Sequence, residues 1–362
     1  MTTNTMARSS RTPSSSASGA RRVAIIGAGI AGLAAARTLA QAGHQVEVFE
    51  SQAAPGGRLT GEDSRYGSFD SGAQYFTVRD ARLREALEAT AAPCRRWSAN
   101  AVRVLDSRGR VVEAALPSLE AHWVATPHMG ALAAHWAAPL GQAVHLGTSV
   151  TAIETDTLQR ERWQLRTQGE ADSSAVHAGF DAVLLAVPPS VARPLIEGVA
   201  PALHARLADV RIAPCWSLQI AFPQASQPGL PHLGPQWNCA RSTHHRVAWL
   251  ARESSKPGRG SIERWTVQGS ADWSREHLND DAARVQAKLL RAFAEITGIR
   301  VAPAWGQARL WTEAKTEAPL GQSHLWDAKA GLGLAGDWCL GHRVEDAFVS
   351  GLELALAVNR PQ

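Results

Sequence analysis

Residues 22–50 read RVAIIGAGIAGLAAARTLAQAGHQVEVFE, and this stretch decides the fold. The apolar run at 22–27 predicts a buried parallel strand, 29–42 a helix and 46–50 a second strand, with short turns between them: a βαβ unit. Gly27, Gly29 and Gly32 stand at the first strand-to-helix junction as G-A-G-I-A-G. Gly27 permits a tight turn, Gly29 lets the backbone approach a diphosphate, and Gly32 allows close contact between helix and strand. The free N–H groups at the helix start attract the anion, and Glu50, ending the second strand, can accept hydrogen bonds from a ribose. A dinucleotide site is expected.

Two further motifs decide between dinucleotides. Pro55-Gly56-Gly57-Arg58 is a second glycine-rich loop with a guanidinium, suited to the longer diphosphate and ribityl region of FAD, because arginine makes charge-assisted contacts to phosphate oxygens. Far along the chain, Gly333-Leu334-Ala335-Gly336-Asp337 has the form of a strand running into an acid, followed by a helix at about 343–358. Such an acid can bind a ribityl hydroxyl. Motifs this far apart require a discontinuous FAD domain, assigned here to 21–85, 142–192 and 300–360, with a substrate domain from 86–141 and 193–299. The fold class is α/β: a Rossmann-type FAD lobe and a mixed β-sheet substrate lobe.

Other elements follow from periodicity. Helices are expected at 80–90, near 129–138 and at 280–297. Strands are expected at 101–105, 111–115, 143–156, 162–167, 211–222, 247–252, 262–268 and 331–335. The apolar strand at 181–187 stops at Pro188-Pro189, which lack backbone donors.

The chain has 362 residues, of which 45% are hydrophobic and 19% charged, an ordinary globular composition that excludes collagen, coiled coil and disulfide scaffold. Its net charge of +4 sits at the start. Arg8, Arg11, Arg21 and Arg22 face no acidic residue within 1–22, and removing these four from 37 basic residues leaves 33 against 33 acidic. A polyanion partner such as nucleic acid is therefore not expected. Residues 1–20, rich in Ser and Thr, read as a disordered leader. An acid-free, Arg-rich start also resembles a transit peptide, and Arg21-Arg22 a twin-arginine signal, but the apolar run that follows is better explained by the nucleotide-binding strand and helix. No stretch of about 18 apolar residues offers a membrane span. Cys94, Cys215, Cys239 and Cys339 are widely spaced with no zinc-ligand pattern, so a reduced cytoplasmic setting and no metal are expected.

With these motifs in hand, the chain from 22 to 358 resembles renalase-type flavoproteins within the amine-oxidase-like superfamily. The blocks that carry the likeness are GAGIAG at 27–32, GGR at 56–58, DSGAQYFT at 70–77, WVATPHMG at 123–130, WLAR at 249–252, SKP at 255–257, DWS at 272–274 and GDWCLGHRVE at 336–345. The resemblance implies a two-lobed fold like that of p-hydroxybenzoate hydroxylase, with non-covalent FAD between the lobes. It implies FAD binding by Gly27, Gly29, Gly32, Glu50, Arg58 and Asp337, with Val150 at the adenine end, and by Ala31, Gly57, Ala73, Gln74, Gly336 and Val344 in the same blocks. It also implies an activity: oxidation of 2- and 6-dihydro isomers of NAD(P), with oxygen reduced to hydrogen peroxide, by a monomer or homodimer.

The candidate catalytic residues are Gln74, Tyr75, Trp265, Gln268, Trp311 and Lys315. Gln74 and Tyr75 are expected near the isoalloxazine. Trp249, Trp265, Trp311 and Trp338 are aromatic candidates for stacking a planar donor, and Lys315 is a cation that could assist oxygen chemistry. Two blocks depart from the family. Gln268 ends Trp265-Thr266-Val267-Gln268 where a histidine is expected, and Ala308-Arg309-Leu310-Trp311-Thr312-Glu313-Ala314 replaces H-R-W-x-Y-A. Both changes fall in the expected substrate pocket, which keeps two alternatives open: a flavin amine oxidase or desaturase with another donor, and a non-catalytic flavin-binding protein.

Overall fold

The structure, a computed structural model, describes residues 19–99, 102–113, 120–169, 173–226 and 237–360. All but the last two residues of the expected leader lie outside these, as do the ends of the strands expected at 101–105 and 111–115.

The βαβ unit forms as its pattern predicts: strand Arg22–Ile26, helix Ile30–Gln41 and strand Gln45–Phe49. These two strands lie inside a six-stranded sheet ordered Leu325–Asp327, Leu332–Leu334, Ala182–Leu185, Arg22–Ile26, Gln45–Phe49, Val144–His145. All neighbours are parallel except the outer pair at the Leu325 edge. Alternation along Arg22–Ile26 decides what covers each face. Val23 and Ile25 pack under helix Ile30–Gln41 with Leu33 and Leu39, whereas Ala24 and Ile26 pack with Phe49, Ile153 and Phe180 beneath an antiparallel meander. That meander comprises Ser149–Thr155, Trp163–Gln168 and Ser174–Phe180. Helix Val344–Asn359 lies against helix Ile30–Gln41 so closely that a Cβ on Gly351 would come within 2.0 Å of the Ala31 carbonyl oxygen.

The second lobe is a seven-stranded sheet ordered Trp305–Ala318, Arg211–Phe222, Glu263–Gly269, Val247–Arg252, Cys239–Ser242, Arg103–Leu105, Val111–Glu113. One face is sealed by helix Ala282–Thr297, whose Phe293 meets Phe222 and Trp265. Asp281 caps that helix by accepting from the Ala283 and Arg284 N–H groups, and Gly298 ends it at φ +77°, a left-handed conformation that glycine adopts without strain.

Two expected domain borders change. The 300–360 segment was assigned whole to the FAD lobe, yet Trp305–Ala318 is an edge strand of the second sheet, paired along Arg211–Phe222. Within 86–141, helix Gly130–Ala137 packs Leu132, Ala133 and Trp136 into the core beneath helix Ile30–Gln41, so it belongs with the first lobe.

Candidate functional site

The glycine turn shows three different packing constraints. Gly27 adopts φ +101°, and a Cβ there would lie 2.6 Å from the Ala186 carbonyl oxygen. A Cβ on Gly32 would lie 1.9 Å from the Gly27 carbonyl oxygen. A Cβ on Gly29 would meet nothing within 4 Å, and Gly29 begins the helix with no side-chain cap. The first-turn N–H groups, including those of Ala31 and Gly32, therefore open onto a cradle of the kind a diphosphate fills. Gly57, at φ +54°, covers this turn, and the Gly56 N–H donates to the Ala28 carbonyl at 3.0 Å.

Glu50 is buried and already partly engaged. Its Oε2 accepts from the Ala28 N–H at 2.8 Å and its Oε1 from the Gln52 N–H at 2.9 Å. It thus braces the turn. Val150 opens the meander beside it, two residues after the Thr148 N–H donates to the Glu50 carbonyl.

The second and third motifs meet each other. Arg58 places its guanidinium on Asp337 through two hydrogen bonds of 3.1 and 2.5 Å, and it also donates to the Ala314 carbonyl at 3.4 Å. Two residues expected to hold the cofactor separately are a bidentate pair across 279 positions of sequence. The Gly336 N–H donates to Ser350 Oγ at 2.9 Å, fixing this turn to the C-terminal helix. Trp338 is fully buried with its Nε1 on the Val187 carbonyl, so it is a core residue rather than a flavin contact. Burial pushes the Cys339 thiol up to about 12, which leaves it unreactive as a covalent tether.

Between the lobes opens a cleft of about 510 Å³ lined by Ala73, Tyr75, His122, Arg241, Arg343 and Val344, among others. Tyr75 stacks on His122 with ring centroids 4.0 Å apart, and Trp249 stands 5.7 Å from the tyrosine. Burial raises the Tyr75 hydroxyl and lowers the His122 imidazole from their ordinary values. His122 Nδ1 lies 2.7 Å from the Ala99 carbonyl oxygen, which assigns the proton of the neutral ring to Nδ1. At the rim Arg79 pairs with Glu120, whereas Arg241 and Arg343 enter no ion pair among the described residues. A second, open depression of about 760 Å³, lined by Leu203, His324 and Trp326, includes none of the cofactor motifs.

Loop Asp70–Gln74 gathers several candidates. Trp311 Nε1 donates to the Ser71 carbonyl at 2.9 Å, Gln268 Nε2 to the Gly72 carbonyl at 2.7 Å, and Gln74 Nε2 to the Asp70 and Gly72 carbonyls. Ala73 completes the loop by donating its N–H to the Arg58 carbonyl. Trp265 is not part of this group. It is fully buried on the helix side of its strand, against Trp237 and Phe293, because strand alternation puts Trp265 and Val267 on one face and Thr266 and Gln268 on the other. Lys315 is exposed on the edge strand, close enough to His342 to add to the burial that lowers that imidazole. Glu313 accepts a hydrogen bond from Ser190.

Sequence reasoning missed the most unusual feature. Asp70, Glu253, Lys256 and Arg259 form a fully buried quartet of two acids and two bases. DSG at 70–72 and SKP at 255–257 were recognised as blocks, but nothing local pairs residues 186 positions apart. The structure also brings potential ligand atoms of Glu47, His145 and His177 within 4.8 Å of one another. Arg22 already holds Glu47 through Oε1, and His145 lies on its Oε2 at 3.2 Å.

Comparison with known proteins agrees with this geometry. Residues 25–90 match the NAD(P)-binding Rossmann-like domain, and residues 123–359 match the flavin containing amine oxidoreductase family. A stretch of 59 residues is 42% identical to hydroxyneurosporene desaturase of Cereibacter sphaeroides, covering 16% of this chain and only 12% of that protein. Among solved structures, one assigned as a protoporphyrinogen oxidase from Exiguobacterium sp. 255-15 shares the fold with a TM-score of 0.72 at 13% identity, over 94% of this chain and 99% of the other. Putrescine oxidase bound to putrescine gives 0.68 at 13% identity, over 93% of this chain and 98% of the other. At such identities these likenesses describe the fold. No helix among the described residues is long and apolar enough to cross a membrane. The family match covers well over half of the sequence, and the chain belongs to the flavin-containing amine oxidoreductases.

Proposed function

We propose that the chain is an FAD-dependent oxidase of renalase type, taking a hydride from a 2- or 6-dihydro isomer of NAD(P). Overall, the reduced dinucleotide, oxygen and one proton give NAD(P)+ and hydrogen peroxide. The observation that carries this reading is the cleft: an aromatic wall of Tyr75 stacked on His122, beside Arg241 and Arg343, which enter no ion pair among the described residues. A planar dihydropyridine can stack on such a wall, and its phosphates suit a cationic rim. A diammonium donor such as putrescine would meet charges of its own sign there.

FAD, rather than a shorter flavin, is supported by a site with provision at both ends of a dinucleotide. The Gly29 cradle would bind the diphosphate, Glu50 and Val150 flank the adenine end, and Gly57, Arg58, Gly336 and Asp337 would hold the ribityl region. When bound, the flavin supplies the two-electron acceptor. The residues of this chain orient the donor and exclude water around it. His122, kept neutral by burial, would add no positive charge under the ring.

A second reading is an amine oxidase or desaturase with another donor. It is favoured by Gln268 and Glu313 in the two departing blocks and by Glu113 and Glu120, acids that also line the cleft. Anaerobic mixing of the FAD-loaded protein with 6-dihydroNAD, and separately with an amine panel, distinguishes the readings. Bleaching of the flavin absorbance by the dihydronucleotide supports the proposal, and bleaching by an amine alone supports the second reading. Flavin that no donor bleaches would leave a flavin-binding protein without turnover.

A further inference from the structure

The buried quartet does more than join two lobes. Asp70 ends the hairpin Gly61–Ser64/Gly67–Asp70, on the cofactor side of the molecule, and Glu253, Lys256 and Arg259 follow strand Val247–Arg252 in the second sheet. All four side chains are fully excluded from solvent. Burying four charges carries a large desolvation cost, and replacing a buried ion pair with apolar residues of similar volume is often neutral or stabilising. Stability alone is therefore a weak account of the quartet.

The geometry offers a better one. A lysine ammonium has three N–H groups, and Lys256 Nζ has three acceptors: Asp70 Oδ2 at 2.7 Å, Glu253 Oε1 at 2.9 Å and Gln74 Oε1 at 3.1 Å. The contact to Gln74 fixes which way the amide lies. With Oε1 on the ammonium, Nε2 points to the Asp70 and Gly72 carbonyls, closing the loop on itself. The carboxylates around it are well held: Asp70 Oδ1 accepts from the Met129 N–H, Arg259 bridges Asp70 Oδ2 and Glu253 Oε2, and Thr266 donates to Glu253 Oε1. The quartet anchors the loop that delivers Ala73 and Tyr75 to the cleft wall at two points, Asp70 itself and the Lys256 contact to Gln74.

We propose that Lys256 is a positioning residue, which acts through Gln74 and Asp70 to hold loop Asp70–Tyr75 in the conformation that sets the flavin-facing wall of the cleft. This rests on the reading of the cleft as a flavin-dependent active site.

The test uses the full chain incubated with FAD. Glu253→Gln/Lys256→Met keeps the quartet electrically balanced, and Gln74→Met removes the acceptor that Lys256 holds together with the Nε2 donor to the Asp70 and Gly72 carbonyls. Three readouts are compared with the unsubstituted protein: the shape of the visible flavin band, the anaerobic reduction rate at saturating donor, and amide hydrogen exchange of the 70–77 segment.

Both variants are expected to bind FAD with an altered band, to lose about tenfold or more in reduction rate with a smaller change in KM, and to exchange faster at 70–77. Combined, they should lose less than the product of the separate losses, because both remove the Lys256–Gln74 contact. An unaltered band and rate in both variants, or losses that multiply, would overturn the proposal, since a merely structural quartet lowers stability without that signature. Should the balanced variant not fold, Gln74→Met decides by the same criteria. If the unsubstituted chain binds no flavin, the functional reading fails by itself. Hydrogen exchange then decides the positioning role, with unchanged exchange at 70–77 overturning it.

Discussion

Gly29 and Gly32 stand three residues apart in one turn, and a methyl group would have opposite consequences at the two positions. At Gly32 the new Cβ would fall 1.9 Å from the Gly27 carbonyl oxygen, so the backbone must move. Gly32→Ala is expected to cost about 1–3 kcal/mol, as overpacking does, and should lower the thermal midpoint with or without flavin. At Gly29, with φ −72° and open space around the Cβ position, alanine fits the fold. Gly29→Ala should cost about 1 kcal/mol or less, from a poorer helix cap, yet weaken FAD binding about tenfold or more by filling the diphosphate cradle. Parallel thermal melts without flavin and FAD titrations check the pair. Equal FAD affinity in Gly29→Ala and the unsubstituted chain would mean that the diphosphate does not lie there.

Among the elements, strand Glu263–Gly269 explains why one candidate in the sequence reading was misplaced. Trp265 was assigned to the pocket as an aromatic and Gln268 as the departure from the family's block, yet an odd spacing in a strand puts their side chains on opposite faces. Trp265 serves the helix-side core and Gln268 the loop at Gly72. Trp265→Ala is accordingly expected to cost about 3–5 kcal/mol, as large core truncations do, while the spectrum of any flavin retained stays unchanged. Gln268→Leu should do the reverse, with a small change in thermal midpoint and an altered flavin band.

The same scale shows what was legible. The βαβ unit carries its own periodicity and glycine turn, and helix Ala282–Thr297 its own periodicity and caps, so both were readable locally. Strand Trp305–Ala318 was not, because it is half-buried along most of its length and lacks clean alternation, and its partner Arg211–Phe222 lies about ninety positions upstream. The quartet was hidden for the same reason. Asp70 and Lys256 stood in recognised blocks, but no local pattern paired them until the topology brought them together.

For the whole molecule, burial of ionisable groups sets the response to acid. His122, His177 and His342 are each held below 6.5, chiefly by desolvation, with a neighbouring cation adding to the effect at His342. Below 6.5 the unfolded chain binds protons that the folded chain refuses. Stability therefore rises with pH through this window, is complete above 6.5, and is lost as the pH falls. Asp70 acts with the same sign at lower pH. Burial alone would raise its carboxyl, but the charges and hydrogen bonds of Lys256 and Arg259 outweigh that and hold it below 3.8. Its contribution is present above 3.8 and declines as the pH drops towards the depressed folded value. Urea unfolding followed from about pH 8 to about pH 3 should thus show a plateau, a decline beginning near 6.5 and a second decline below about 4. His122→Gln should lessen the first decline, to which His177 and His342 still contribute, and leave the second intact. Stability that holds level down to about pH 5 would mean that these imidazoles are protonated as readily in the folded protein as in the unfolded chain.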